Sequence, residues 1–169
     1  MEQQSNIRPN WDEIYMTLAL IYSSRSPDPS TRHGCVIVSS DNRPIAFGYN
    51  GFPKGSKDNS LYPLTRPEKY AFISHSEIGA LSNRTLNTEG CTAYVTGKPC
   101  SKCMVSMVQG GIKKIVYGNI GSHCVAEEDW NATLLIAENC GISLAKYDGC
   151  NPVDIFNKVG EYLEIKGWD

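Results

Sequence analysis

Apolar positions along this chain recur with two different periods. Between Trp11 and Tyr22 they fall at i, i+3, i+4 and i+7 (Trp11, Ile14, Tyr15, Leu18, Ile21/Tyr22), the spacing of one buried helical face. Asn10 stands ahead of them as an N-cap, with Glu13 at the position from which a capping-box acid reaches back. Ser26-Pro27-Asp28-Pro29 stops that helix, because both prolines disfavour its continuation. Cys35-Val36-Ile37-Val38 then reads as a strand, Asp41-Asn42 as a turn, and Ile45 to Tyr49 as the returning partner of a hairpin. Residues 51–67, rich in Gly, Pro, Lys and Ser, predict a long surface loop, and loops of that length are uncommon and often functional.

The second half alternates more regularly. A helix is expected from near His75 to Leu81, and Thr92 to Thr96 reads as a strand. A short helix from Cys100 to Gln109 ends at Gly110-Gly111, the residue type favoured just past a helix C-terminus. Lys114 to Tyr117 is another strand, Trp130 to Asn139 a helix stopped by Gly141, and Ile142 to Tyr147 a fifth strand. The last helix opens at Asn151-Pro152, cap followed by proline, and carries Val153, Phe156, Val159 and Leu163 on one face. The order α-β-β-α-β-α-β-α-β-α, without repeat or linker, predicts an α/β fold: a three-layer α/β/α sandwich on a five-stranded mixed sheet, in one domain over residues 1–169.

Composition narrows the classes. The chain is 41% hydrophobic and 20% charged, as in ordinary globular proteins, which excludes disorder or fibrous repeats as a description of the whole. Sixteen Lys and Arg against eighteen Asp and Glu leave a net charge of -2, which argues against a nucleic-acid partner. No apolar run approaches the roughly 18 residues of a membrane helix, and Met1 to Asn6 lacks the basic start and apolar stretch of a signal peptide. The expectation is a cytoplasmic protein with no membrane partner. Seven cysteines, an odd number without a secretion signal, point away from a disulfide framework and towards metal, catalysis or core packing.

Two short clusters carry the chemistry: His75-Ser76-Glu77 and Pro99-Cys100-Ser101-Lys102-Cys103. A C-x-x-C pair alone arises by chance about 0.3 times in such a chain, but with the preceding proline and an H-x-E the joint expectation falls to about 0.003. Cys100 and Cys103, three apart at a helix start, lie one turn apart on one face, where the helix N-terminus favours thiolates. His75 is a third ligand, so zinc keeps an open position for water, the catalytic arrangement. Glu77 is the acid that serves this water. Within a regular helix, side chains two apart diverge by about 200°, so the helix is expected to begin at or between His75 and Glu77, letting both face the metal. The H-x-E…P-C-x-x-C spacing is the signature of zinc-dependent nucleobase deaminases.

Beyond that signature, Trp11-Asp12-Glu13, Arg25 to Thr31 and Gly48-Tyr49-Asn50-Gly51-Phe52-Pro53 resemble characteristic segments of the deoxycytidylate (dCMP) deaminases, over nearly the full chain. The resemblance implies a cytidine deaminase-like fold and the hydrolysis of dCMP to dUMP and ammonia, supplying dUMP for thymidylate synthesis. It implies that Asn50 contacts the deoxyribose 3′-hydroxyl, that Arg25 and Ser26 lie near the 5′-phosphate, and that the Ser76 backbone meets the base edge. It further implies a homohexamer with dCTP and dTTP as effectors at a second site around Gly51, Lys54 and Asp58, a triphosphate effector bringing Mg2+ with it. Ser76 replaces the family's usual alanine, and Gly79 stands where asparagine is common, a change expected to alter the nucleotide pocket and to admit dCTP as a second substrate.

Blander readings stand beside these. Cys35, Cys91, Cys124, Cys140 and Cys150 sit in no ligand pattern and read as core or incidental, as do His33 and His123. Lys54, Lys57 and Asp58 read in isolation as solvated loop charges, and Lys102 as an exposed helix lysine. Two other functions compete: a deaminase of bases within RNA or DNA, and a non-catalytic zinc module closed by a fourth ligand such as Cys91 or Cys124, which leaves Glu77 without a task.

Overall fold

The computed structural model describes residues 8–121, 125–165 and 167. Met1 to Asn6, His123 and Cys124, and the readings made of them, lie outside the described residues. The strands are β1 (Gly34–Val38), β2 (Pro44–Tyr49), β3 (Thr92–Val95), β4 (Lys114–Tyr117) and β5 (Ser143–Lys146). They pair in the order β2-β1-β3-β4-β5. β1 runs antiparallel to both neighbours, and β3, β4 and β5 run parallel, so the sheet is mixed. The helices are α1 (Trp11–Ser23), α2 (Ser76–Asn83), α3 (Ser101–Gln109), α4 (Glu127–Asn139) and α5 (Pro152–Ile165).

Strand alternation sorts the helices into layers. Cys35, Ile37, Ala93, Val95 and Ile115 face α2, α3 and α4, packing on Ala80, Leu81, Met104, Met107 and Ala137. Val36, Val38, Tyr94 and Val116 face the other way, onto Tyr15, Met16 and Ala19 of α1, against which α5 rests. Each fully buried Ile or Met contributes about 1.5–3 kcal/mol, so both faces of β1 are committed. The three-layer order and the five-stranded mixed sheet are those the pattern predicts.

Two glycines set how closely helices sit. A Cβ on Gly34 would lie 1.8 Å from the Ala19 carbonyl oxygen, so α1 touches the β1 backbone directly. A Cβ on Gly48 would lie 2.2 Å from both the Ala80 nitrogen and the Ser76 oxygen, so α2 lies on the β2 backbone. The Gly34 contact also explains a departure from expectation: α1 buries Tyr15, Met16, Ala19 and Ser23, whereas Trp11 and Ile21 are 52% and 40% exposed. The helix turns Ala19 and Ser23 to the Gly34 backbone with Tyr15 and Met16 beside them, and Trp11 instead stacks on Tyr15 at 5.5 Å. The Asn10–Glu13 capping box forms as predicted.

On α5, Val153, Phe156 and Val159 of the expected face are exposed and Leu163 is half-buried, and among the described residues Ile155 is the buried one. α4 starts three residues earlier than Trp130, at Glu127, with its first turn occupied by the acids that suit a helix N-terminus. Residues 51–67 are less irregular than expected. A 3-10 turn at Asn59–Leu61 is followed by another at Glu68–Ala71, and the rings of Phe52, Tyr62 and Phe72 stack in series at 5.0 and 5.2 Å. Among the described residues, no helix is long and apolar enough to cross a membrane.

The strand register fixes where a site can be. Gly34 pairs with Tyr49, Cys35 with Val95 and Val95 with Tyr117, so the start of β1 and the ends of β2, β3 and β4 meet at one sheet edge. Crevices outside the carboxyl ends of such strands are where α/β sheets bind ligands.

Candidate active site

That edge opens into a cavity of about 510 Å³. Both sequence clusters reach it from helix N-termini. His75 is the N-cap of α2, with extended backbone (φ -73, ψ 156), and Glu77 lies in the first helical turn. The helix therefore begins between them, as the 200° argument requires, and both side chains line the cavity. Cys100 is the N-cap of α3 and Cys103 lies in its first turn.

His75 Nδ1 lies 3.4 Å from Cys100 Sγ and 3.3 Å from Cys103 Sγ. The three donor atoms lie within 4.8 Å of one another, and among the described residues no other cluster could hold a metal ion in this way. Zinc bonds of about 2.3 Å to sulfur and about 2.0 Å to nitrogen make a tetrahedral edge of roughly 3.5 Å, close to the N–S separations seen, so the donor set fits zinc. Cys91 is buried near the opposite end of β3, its sulfur 4.0 Å from the Glu89 oxygen, and does not join the cluster.

The electrostatics favour a cation at this point. The Cys100 thiol is held down at about 4, chiefly by its hydrogen bond with Cys103, against burial and with help from His75. Cys103 is pushed far up by sharing that bond and by burial. The bond to Cys100 raises His75 to about 9, against the opposing effect of burial. Burial also raises Glu77, which is 5% exposed. Two thiols and a carboxyl in one buried space can ionise together only around a positive centre. The fully buried Ser76 hydroxyl donates to Glu77 Oε2 at 2.9 Å, an orienting bond that an alanine at this position would not offer.

Asn50 is buried and lines the cavity. Its Oδ1 accepts from the His33 backbone N–H at 2.7 Å and its Nδ2 donates to the Thr31 carbonyl at 3.0 Å, so it joins β2 to the loop before β1. Ser76 lines the cavity too. Arg25 and Ser26 do not: Arg25 is exposed just past α1, and buried Ser26 accepts from the Asp28 N–H. Gly51 pairs through two backbone bonds with Ser74, Lys54 is exposed, and Asp58 accepts from Ser60, all three outside the cavity. Gly79 is not among the residues lining the cavity; a side chain there would press on the Tyr49 carbonyl at a helix–strand contact, so the expected change of the nucleotide pocket has no direct contact behind it.

The structure adds residues that sequence reasoning passed over. Lys69 Nζ donates to both Asp28 oxygens, at 2.8 and 2.6 Å, and the two side chains are only 3% and 5% exposed. A lone lysine ahead of Tyr70-Ala71-Phe72-Ile73 was the available signal, since a charge next to an apolar run needs a partner if it is buried. His33, expected to be incidental, lines the cavity, as do Arg66, Lys98 and Asp129. Lys98 lies over the Trp130 ring at 4.8 Å, and Asp129 accepts from the Ser101 N–H and hydroxyl, holding α4 to the start of α3.

Residues 9–119 match the family model described as the cytidine and deoxycytidylate deaminase zinc-binding region. The chain is 32% identical over 144 residues to the deoxycytidylate deaminase of Mus musculus, covering 81% of this chain and 79% of that one. It is 31% identical, with the same coverage, to the deoxycytidylate deaminase of Homo sapiens. Its fold matches the crystal structure of the dCMP deaminase from cyanophage S-TIM5 in complex with dCMP and dUMP, with a TM-score of 0.69, 24% identity, and 83% and 98% of the two chains covered.

Proposed function

The chain belongs to the cytidine and deoxycytidylate deaminase family, and from that premise we propose that it hydrolyses dCMP to dUMP and ammonia. One observation carries the reading: a buried carboxyl, Glu77, lines the same cavity as His75 and Cys100, whose donor atoms cluster with Cys103 Sγ. A closed structural site would need a fourth protein ligand and would leave Glu77 without work.

His75, Cys100 and Cys103 would hold zinc with one position open. Zinc there would supply Lewis acidity, lowering the pKa of a coordinated water from about 15.7 towards about 7. Glu77 takes a proton from the attacking water as the C4–O bond forms and passes it to the ring nitrogen; it then takes the remaining proton of the new C4 hydroxyl and delivers it to the amine as the C4–N bond breaks and the C4 carbonyl forms. The Ser76 hydroxyl fixes Oε2 of that carboxyl before substrate arrives. In this reading the Ser76 backbone meets the base and Asn50 the sugar; both residues line the cavity. Regulation by dCTP and dTTP, with Mg2+ accompanying the triphosphate, around the exposed Lys54 and Asp58 beside Gly51, and assembly into a homohexamer, complete the proposal.

The test is chromatographic detection of uracil nucleotides after zinc-loaded protein is offered dCMP or dCTP, with and without each effector. Production of dUMP, lost in Glu77→Ala with zinc retained, is the expected result. Absence of dUMP from metal-replete protein refutes the assignment, and comparable turnover of dCTP replaces it with a bifunctional enzyme.

A further inference from the structure

Cys100 lies between two peptide planes, and both are held from α4. Thr133 Oγ1 donates to the Pro99 carbonyl at 3.3 Å, in the plane that precedes Cys100. Asp129 Oδ2 accepts the Ser101 N–H at 3.1 Å, in the plane that follows it, and Asp129 Oδ1 accepts the Ser101 hydroxyl. Asp129 and Thr133 stand four positions apart within α4, and so on one face of it. Each peptide unit is planar, which leaves φ and ψ as the two soft torsions of a residue. Pinning the planes on either side therefore holds Cys100 at φ -75 and ψ 164 and fixes the direction of its Cα–Cβ bond.

The clamp has a firm footing. Thr133 is fully buried, and Ala137, one turn further on, packs in the core. Trp130 meets the Tyr117 ring edge-on at 5.2 Å, at the end of β4, and Lys98 lies over its ring. Residues 98, 99 and 101 thus each have a partner on α4, while the Cys100 sulfur lies beside His75 Nδ1 and the Cys103 N–H. As N-cap, Cys100 accepts from Cys103, so the Ser101 N–H needs a partner from another element. A carboxylate is the favourable one at a helix start.

We propose that Asp129 and Thr133 are positioning residues of the metal centre. They aim the Cys100 sulfur at the point it shares with His75 and Cys103, although these donors come from the starts of α2 and α3. The proposal rests on the reading of those three residues as a zinc site. Zinc bonds of about 2.0–2.3 Å tolerate little misdirection of a ligand, so loosening either plane should weaken metal binding. Both Asp129 oxygens are engaged by Ser101, so Asp129 acts through the chain that carries the ligand and not on the reacting atoms. Glu128, in the same first turn, is exposed and carries the same charge.

The experiment measures zinc affinity by chelator competition, melts of the metal-free protein, and absorption spectra of the cobalt(II)-loaded protein. It compares wild type with Asp129→Ala, Asp129→Asn, Thr133→Val, Thr133→Ser and Glu128→Ala. Asp129→Ala is expected to weaken zinc binding roughly 10- to 100-fold, as for other groups that orient metal ligands, and to shift the cobalt bands as the Cys100 sulfur moves. Asp129→Asn, which keeps an acceptor for the Ser101 N–H, should recover part of that loss. Thr133→Ser, which keeps the hydroxyl, should recover most of what Thr133→Val loses. Glu128→Ala should bind zinc as wild type does. An Asp129→Ala protein that melts lower when metal-free, yet matches wild type in zinc affinity and cobalt spectrum, shows a merely structural contact and overturns the proposal. Equal losses in Glu128→Ala and Asp129→Ala overturn it too, because charge at the start of α4 would then suffice. Asp129 is half-buried on an otherwise exposed stretch, so its variants decide the matter even where a Thr133 variant does not fold. Wild type that holds neither zinc nor cobalt refutes the metal reading itself, whereas tight binding indifferent to Asp129 and Thr133 refutes this proposal alone.

Discussion

Replacing Lys69 by methionine removes one half of the buried Lys69–Asp28 pair while keeping the side chain's length. Asp28 would then be a carboxylate with 5% side-chain exposure and no cation. It would retain the backbone N–H bonds from Ser30 at 2.8 Å and Thr31 at 3.3 Å. Removing one partner of a buried pair costs about 3–5 kcal/mol, and the two surviving bonds place this case near 3. For a chain of this size 1 kcal/mol moves Tm by roughly 2–4 °C, so the variant should melt about 6–12 °C below wild type at pH 7. The pH dependence has a definite sign. Burial pushes the Asp28 carboxyl up, but the Lys69 bond and the Ser30 and Thr31 N–H groups outweigh it, and the net shift is downward. A depressed carboxylate contributes stability above its unfolded pKa of about 3.9 and loses it as pH falls through the folded value. In Lys69→Met the same carboxyl shifts upward, so the variant is relieved by protonation and the gap in Tm should narrow from pH 7 to pH 4. Asp28→Asn combined with Lys69→Met should recover most of the loss. Calorimetric melts at the two pH values decide it: a Lys69→Met variant within 1 °C of wild type at pH 7 would mean that the pair does not fasten residues 66–73 to the cavity wall.

Other expectations follow from single contacts. Glu77→Gln should lose about 10²- to 10⁴-fold in kcat, the span of general acid–base catalysis, with zinc still stoichiometric by mass spectrometry; a smaller loss removes Glu77 as the proton carrier. Cys103→Ala should fail to retain zinc through dialysis at pH 7, and wild type should release it on acidification as the thiolates protonate. Gly48→Ala puts a methyl 2.2 Å from two α2 backbone atoms, so both Tm and turnover should fall as His75 and Glu77 are displaced; an unchanged Tm would show that the helix can shift freely. Ser76→Ala removes one 2.9 Å bond to Glu77 and should change kcat several-fold while leaving zinc content and KM intact.

The metal centre was readable because its geometry is local. A helix start brings Cys100 and Cys103 together by chain connectivity alone, and the requirement that His75 and Glu77 converge already placed the beginning of α2 between them. Strands were readable where both faces are buried, as in β1, since a run of Cys, Val, Ile and Val has no other use. Amphipathic helices were read less well. Periodicity gives an apolar stripe, but the approach of α1 to Gly34 selected Ala19 and Ser23 over Trp11 and Ile21, and α5 buries Ile155 while Phe156 faces outward.

By itself, then, the sequence determined the order of the elements, several of the caps that start them and the gathering of His75, Glu77, Cys100 and Cys103 at two helix starts. Those features depend on neighbours within a few positions, where backbone geometry leaves few alternatives. Only the tertiary structure decided which charges face the cavity. Lys69 meets Asp28 across 41 residues, Arg66 meets Thr31 across 35, and the imidazole of His33 meets Thr96 across 63. Such pairs are set by how the sheet edge and its loops close on one another, and no local period records them. Arg25 illustrates the reverse case: it sits in a recognisable segment, but the end of α1 leaves it exposed and outside the cavity.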